Sequence, residues 1–289
     1  MDLATIGGLI VGVGAVALAY FMEGGNFGAV TQAPAMILVI GGTIGAAMIT
    51  TSFRTIMNVP TLLRIAFRGR PPDAPQIIDQ VVRLAEKARR EGVLGLESDL
   101  KNIDNPFFKK AVQLVIDGTE TTTLQKVLQT ELTYVFERHK EGIALFKALG
   151  GFSPTLGIIG TVLALIHTLS NTSDASRMAS AIAGAFIATL WGIAMANLCY
   201  LPIGDKLRYR HDEEAAGMEL IIEGVIAIQS GDNPRVIRTR LMSFVDPGSR
   251  EENQLPPRQT SDEEKKYERE YAEAQLRRKK YETLMRVED

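Results

Sequence analysis

Thr161, Thr189 and His167 are the side chains inside long uncharged stretches of this sequence whose types could do chemistry. The two threonines fall near the middle of two such stretches, and His167 sits close to the end of one. A hydroxyl within lipid commonly bonds a carbonyl of its own helix. It can also replace a water ligand on Na⁺, and both readings of Thr161 and Thr189 stay open. His167 reads as a packed or hydrogen-bonded residue near an interface. Asp, Glu, Lys and Arg are absent from all these stretches. A proton path through a bilayer needs a titratable group at depth. This chain therefore does not easily conduct protons alone, and if ions cross beside it, another chain supplies the acid.

Other chemistries find no support. The chain has 289 residues, a net charge of -2 and a single cysteine, Cys199, inside an apolar run. A disulfide framework and a Cys-rich metal site are excluded, and the charge suggests no nucleic-acid partner. GVGAVA, from Gly12 to Ala17, loosely matches a dinucleotide fingerprint. It lies in an uncharged run with no preceding strand, so it reads as helix packing. No nucleophile, metal or phosphate motif stands in a suitable context. The expectation is a protein that is no enzyme and holds no cofactor.

Four uncharged stretches define the framework: Leu3 to Met22, Gly24 to Phe53 with an apolar core from Pro34 to Ser52, Phe152 to Leu169, and Met178 to Ile203, ending at Pro202. Each is long enough to cross a hydrocarbon core of roughly 30 Å at about 1.5 Å per residue. The first lacks the basic leader and short apolar run of a signal peptide, so it reads as a retained span. The links EGGNFGAVTQ and SNTSDASR are short. Arg54, Arg64, Arg68 and Arg70, then Arg138, Lys140 and Lys147, then Lys206, Arg208 and Arg210 flank the other ends. The positive-inside rule places these in the cytoplasm, with both termini, and the short links outside.

The predicted fold is an all-α membrane protein, four transmembrane helices with a helical cytoplasmic domain. Residues 1–52 form the first hairpin, 53–151 a cytoplasmic loop domain, 152–204 the second hairpin, 205–245 a cytoplasmic helical region, and 246–289 a charged tail. FRTIMNVPTLLRIAFRGR is basic and amphipathic and suits a membrane surface. QIIDQVVRLAEKARREG has helical periodicity and stops at Gly92. KKAVQLVIDG reads as a helix, and TLQKVLQTELTYVFERHKEGIALFKAL as one that can run into the third span through Gly150 and Gly151. EEAAGMELIIEGVIAIQSG reads as a separate helix after the fourth. No strand alternation is seen. The tail begins polar and Pro-containing, then turns dense in mixed charge, as a linker followed by a solvated helix.

Small residues crowd the last two spans. Ala181, Ala185, Thr189 and Gly192 share one helical face, as do Pro154, Gly157 and Thr161. In lipid such spacing lets backbones approach closely, and its extent suggests packing on another chain as well.

On these motifs the chain resembles the MotA family of flagellar stator A-subunits, over about residues 1 to 245. GGLIVGVGAVALAYFMEGG followed by PAMILVIGGTIGA resembles the first hairpin of that family. EKARREGVLGLESDL is similar to its charged cytoplasmic motif, and SPTLGIIGTVLALIHTLSN and AIAGAFIATLWGIAMANLCYLPIGDKL to its third and fourth spans. The resemblance implies a pentamer of A-subunits around two B-subunit helices, whose aspartate binds the ion. It implies that ion passage turns the A-ring and that the cytoplasmic loops push on the rotor's switch-complex protein. Arg89 and Glu97 match the rotor-facing charges, Arg90 lies beside them, and Glu131 resembles a further acidic position. Pro154 matches the proline at the start of the third span, near the ion path, and Pro202 that at the cytoplasmic end of the fourth; a freed carbonyl at either can hinge a helix. Thr161 and Thr189 match pore-lining positions. A threonine at 161 is the choice of sodium-type members, whereas the general family expectation is proton, so the ion stays open.

Three rivals differ in kind. An ExbB/TolQ-type transducer would have three spans. A transporter acting alone would need a polar site at the midplane beyond two threonines and a histidine. A membrane scaffold without ion coupling fits the same spans, because the coupling acid is not in this chain.

Overall fold

The computed structural model describes residues 3–69, 72–171 and 175–245; the charged tail expected over 246–289 lies outside them. Among the described residues every regular element is helical. Four helices are long and apolar enough to cross a membrane.

The first two spans are α1 (Leu3–Met22) and a composite of α3 (Ala33–Met36), a π-helical turn (Ile37–Gly41) and α4 (Gly42–Thr50). Between them lies the short α2 (Phe27–Val30), capped by the Asn26 side chain on the Gly28 N–H. Trp191 of the fourth span ties this outer link down, its indole N–H donating to the Val30 carbonyl at 2.7 Å.

The basic segment after Thr50 forms α5 (Phe53–Met57) and α6 (Val59–Arg68). Its apolar face does not stand free. Leu62, Leu63 and Phe67 pack on Leu145, Phe146 and Leu149 of one long helix and Ile203 and Leu207 of another. Then follow α7 (Ala74–Glu91), a 3₁₀ stretch (Val93–Asn102) and α8 (Pro106–Ile116). Asp73 and Asn105 cap α7 and α8 with side-chain oxygens on backbone N–H groups, satisfying donors that a helix start leaves orphaned. Gly92 ends α7 at φ 79°, a left-handed value that favours glycine, as the sequence predicted.

The expected run-through at Gly150 and Gly151 is found: α9 is one helix, Thr121–Asn171, from the cytoplasmic domain through the third span. The fourth span departs from expectation. Its helix continues past Pro202, and the amphipathic segment after it is not a separate helix. α10 (Ala175–Met195) passes through a π-helical turn (Ala196–Tyr200) into α11 (Leu201–Gln229). The reason is local. Pro202 lies in the first turn of α11, where its missing N–H costs least, and the wider turn before it hands the chain on without a break. A short α12 (Pro234–Leu241) folds back onto α7.

A core outside the apolar spans joins these elements. Ile78 and Val81 of α7, Phe108 and Val112 of α8, Leu124 and Leu128 of α9, and Ile221 and Val225 of α11 are almost fully buried. Each such side chain contributes about 1.5–3 kcal/mol on burial. Gly224 lets α11 close on Val81. The apolar spans contrast with this: the window of α1 that meets the membrane criteria has no buried residue in the single chain. Leu9, Ile10, Val11 and Leu18 are exposed, which suits lipid or a neighbouring subunit rather than water.

Candidate functional site

The third and fourth spans cross at glycine. A Cβ on Gly157 would lie 2.8 Å from the Ala188 carbonyl oxygen and 3.1 Å from Thr189 Cα. Gly160 faces the Ala188 methyl in the same way. One turn toward the cytoplasm, the buried Ser153 hydroxyl donates to the Gly192 carbonyl at 3.0 Å. Small residues alone allow this approach, which converts side-chain space into van der Waals contact and interhelical hydrogen bonds.

This crossing brings Thr161 and Thr189 together. Their hydroxyls hydrogen-bond each other. Thr161 Oγ1 is 3.1 Å from the Gly157 carbonyl and 3.1 Å from the Ala185 carbonyl, and Thr189 Oγ1 is 3.4 Å from the Gly157 carbonyl. Four oxygens thus converge, and the hydroxyls bring only two hydrogens. Lone pairs outnumber donors, so the cluster is suited to accept from a hydrated cation or a protonated acid. Both threonines are half-buried, so the cluster can be reached from one side.

His167 is not part of it. It stands exposed and lines an open crevice of about 670 Å³ with Gln32, Thr168 and Ser180 at the outer ends of the spans. Ala185 and Ala188 also line that crevice, so its inner wall is the backbone against which the threonines bond. Neither Gly160, Ala188 nor Ser153 was singled out in the sequence, although all three are small residues in the two spans rich in them.

Pro154 is half-buried inside α9. Its missing N–H leaves the Gly150 carbonyl without the usual donor, and Gly150 is where Leu201 of α11 presses closest. Pro202 is exposed and lies one residue beyond the π-helical turn, after Leu201. Such turns, absent from the sequence reading, recur at functional positions in helices. The second span carries another at Ile37–Gly41, beside which Leu38 packs on Gly160.

The cytoplasmic charges divide into two groups. Arg89 and Arg90, at the end of α7, and Glu97, in the 3₁₀ stretch beyond Gly92, are all exposed and make no ion pair among the described residues. Glu131 differs: its carboxylate is held by Lys110 of α8 at 2.6 Å. Lys87 is likewise engaged, by Asp99 at 2.6 Å.

An oxygen cluster at a glycine crossing of two apolar spans, with both helices continuing unbroken into a charged helical domain, finds close counterparts. Residues 99–220 match the family model for the MotA/TolQ/ExbB proton channel family, and residues 6–92 that for Motility protein A N-terminal. A Motility protein A from Borreliella burgdorferi is 38% identical, over 86% of this chain and 96% of its own. The chain belongs to the MotA family of flagellar-motor stator A-subunits. Chemotaxis protein PomA of Vibrio alginolyticus is 34% identical over 86% of this chain and 98% of its own. Among solved structures, C. jejuni MotAB superposes with a TM-score of 0.82 at 30% identity, covering 86% of this chain and 97% of that one. The flagellar MotAB stator complex from Bacillus subtilis matches with the same score, covering 88% and 99%. The ExbB/TolQ rival with three spans does not fit the four candidate spans found among the described residues.

Proposed function

We propose that this MotA-family chain assembles as a pentamer around the transmembrane helices of a B-subunit dimer in the bacterial inner membrane, with both termini cytoplasmic. Ion passage, of H⁺ or Na⁺, then turns the ring and drives torque on the rotor's switch-complex protein. The observation that carries the reading is the oxygen cluster of Thr161, Thr189, Gly157 and Ala185, set in spans without any acid. A donor-poor cluster receives an ion that another chain's carboxylate delivers. The MotAB complexes to which the chain is similar contain such a second subunit. Arg89, Arg90 and Glu97 would meet the rotor, because they are exposed and uncommitted. Glu131 would act through Lys110 rather than by direct contact.

The test is swimming of a stator-deleted bacterium carrying this chain and its cognate B-subunit, with and without sodium. Swimming only with sodium supports a sodium site at Thr161. Swimming in both makes the motor proton-driven and leaves Thr161 a packing residue. No swimming, despite membrane expression and partner binding, favours a scaffold without ion coupling.

A further inference from the structure

Where α9 and α11 leave the membrane-proximal core, two histidine rings meet. His139 Nδ1 of α9 lies 3.3 Å from His211 Nδ1 of α11, with ring centroids 5.5 Å apart and planes at 80°. Phe136 closes one side, edge-on to His211 at 4.6 Å. Glu214, one turn further along α11, places a carboxylate oxygen 3.9 Å from the same His139 nitrogen.

We propose that His139 and His211 form a proton-operated latch between α9 and α11, closed while one of the two facing nitrogens carries hydrogen and the other does not. Two imidazole nitrogens at 3.3 Å hold together when one donates and the other accepts. The neutral pair satisfies this, and so does the pair with one added proton. A second added proton puts N–H on both facing nitrogens, and two donors head to head repel. His139 then has one nearby acceptor, the Glu214 carboxylate. The contact exchanges from ring–ring to ring–carboxylate, which alters the seating of α9 on α11. The two arrangements use the same three side chains and differ by protons alone.

The surroundings oppose early protonation. Burial is the main cause that holds His139 below the ordinary imidazole range; Arg138 and His211 act in the same direction, and Glu214 opposes them. The other charged groups nearby are tied up. On α11, Arg210 pairs with Glu213 at 2.7 Å. On α9, Lys140 pairs with Glu137 at 3.5 Å, and Glu141 accepts from Thr55 of α5 at 3.1 Å. From α6, Arg64 and Arg68 make no hydrogen bond or ion pair to either ring among the described residues. Because the folded pKa is depressed, the closed state is favoured at high pH. It weakens as pH falls below the unperturbed imidazole value of about 6.5. The consequence reaches the membrane because each helix runs on into a span: α9 to Asn171, and α11 back through the π-helical turn into α10. Nothing in this inference depends on the ion path or the rotor contact.

The test is thermal unfolding of the purified full-length chain in detergent, from about pH 8 to about pH 5.5, across the imidazole range. The parent should lose melting temperature over the acid half of this range. His139→Gln and His211→Gln should each lose less, and the double variant should match the singles. Parallel profiles in all four chains would overturn the latch. So would a double variant that changes the acid response by the sum of the singles. His167, the remaining histidine, is common to all four and cancels. If the glutamine variants melt low even at high pH, Glu214→Gln decides. Loss of the carboxylate charge that receives the protonated ring should steepen the parent's acid loss, and an unchanged profile would overturn the proposal.

Discussion

Gly157 and Gly192 touch backbone to backbone: a Cβ on the first would lie 3.3 Å from Cα of the second, and the converse distance is 3.1 Å. The contact fixes how closely the third and fourth spans pack, and hence whether Thr161 reaches Thr189. Gly192→Ala would bring its methyl within 2.7 Å of the Ser153 carbonyl oxygen. Backbone cannot give way as a side chain would, so overpacking here should cost about 1–3 kcal/mol. Thermal melting in detergent would show it. Gly151→Ala is the control, since its Cβ would meet nothing within 4 Å, and it should match or exceed the parent.

Thr161→Val keeps the shape of the side chain and removes the oxygen. Thr161 donates one hydrogen among three nearby acceptors. Its loss should cost little stability, on the order of 1 kcal/mol, because the backbone carbonyls keep their helix bonds. Ion-driven swimming should fall several-fold, and Thr161→Ser should restore most of it. Swimming speed at matched membrane expression measures this, and parent-like speed in the valine variant would reduce Thr161 to packing.

The span pattern made the architecture legible, because an uncharged run long enough to cross lipid has few alternatives. Gly92 and the continuity at Gly150 and Gly151 were also readable from local residue chemistry. The amphipathic segment beyond Pro202 was read as a separate helix, whereas α11 runs through it. Proline breaks a helix when its carbonyl partner is strained, but a π-helical turn just before it absorbs the mismatch, and no residue type in ANLCY announces that turn. The pairing of Glu131 with Lys110 and the meeting of His139 with His211 join positions 21 and 72 residues apart. Tertiary approach sets such contacts, and sequence periodicity is silent on it.

The free and paired charges of the cytoplasmic domain should behave differently on reversal. Arg89→Glu and Glu97→Lys should lower swimming speed severalfold while leaving stability within about 0.5 kcal/mol, as exposed substitutions do. Glu131→Lys should also disturb α8 against α9, because it sets two cations face to face. Adding Lys110→Glu rebuilds the pair in reverse and should recover the modest stability term, about 0–1 kcal/mol for so exposed a bridge. Melting and swimming measured on the same four chains separate contact from scaffolding. Loss of Arg89→Glu or Glu97→Lys protein from membranes would count against the rotor-facing assignment.

Pro154→Ala supplies the missing N–H to the Gly150 carbonyl within α9 and removes the ring from a half-buried site. A more regular helix should be more stable, since proline inside a helix costs about 3 kcal/mol relative to alanine. It should also be less able to bend where Leu201 of α11 bears on Gly150. The expected outcome is a chain that melts at or above the parent temperature and still co-purifies with the B-subunit, but swims slowly. Stability and motility moving in opposite directions would assign the proline to motion. Unchanged swimming would mean that the third span turns as a rigid rod and that any bending lies in the π-helical turn before Pro202.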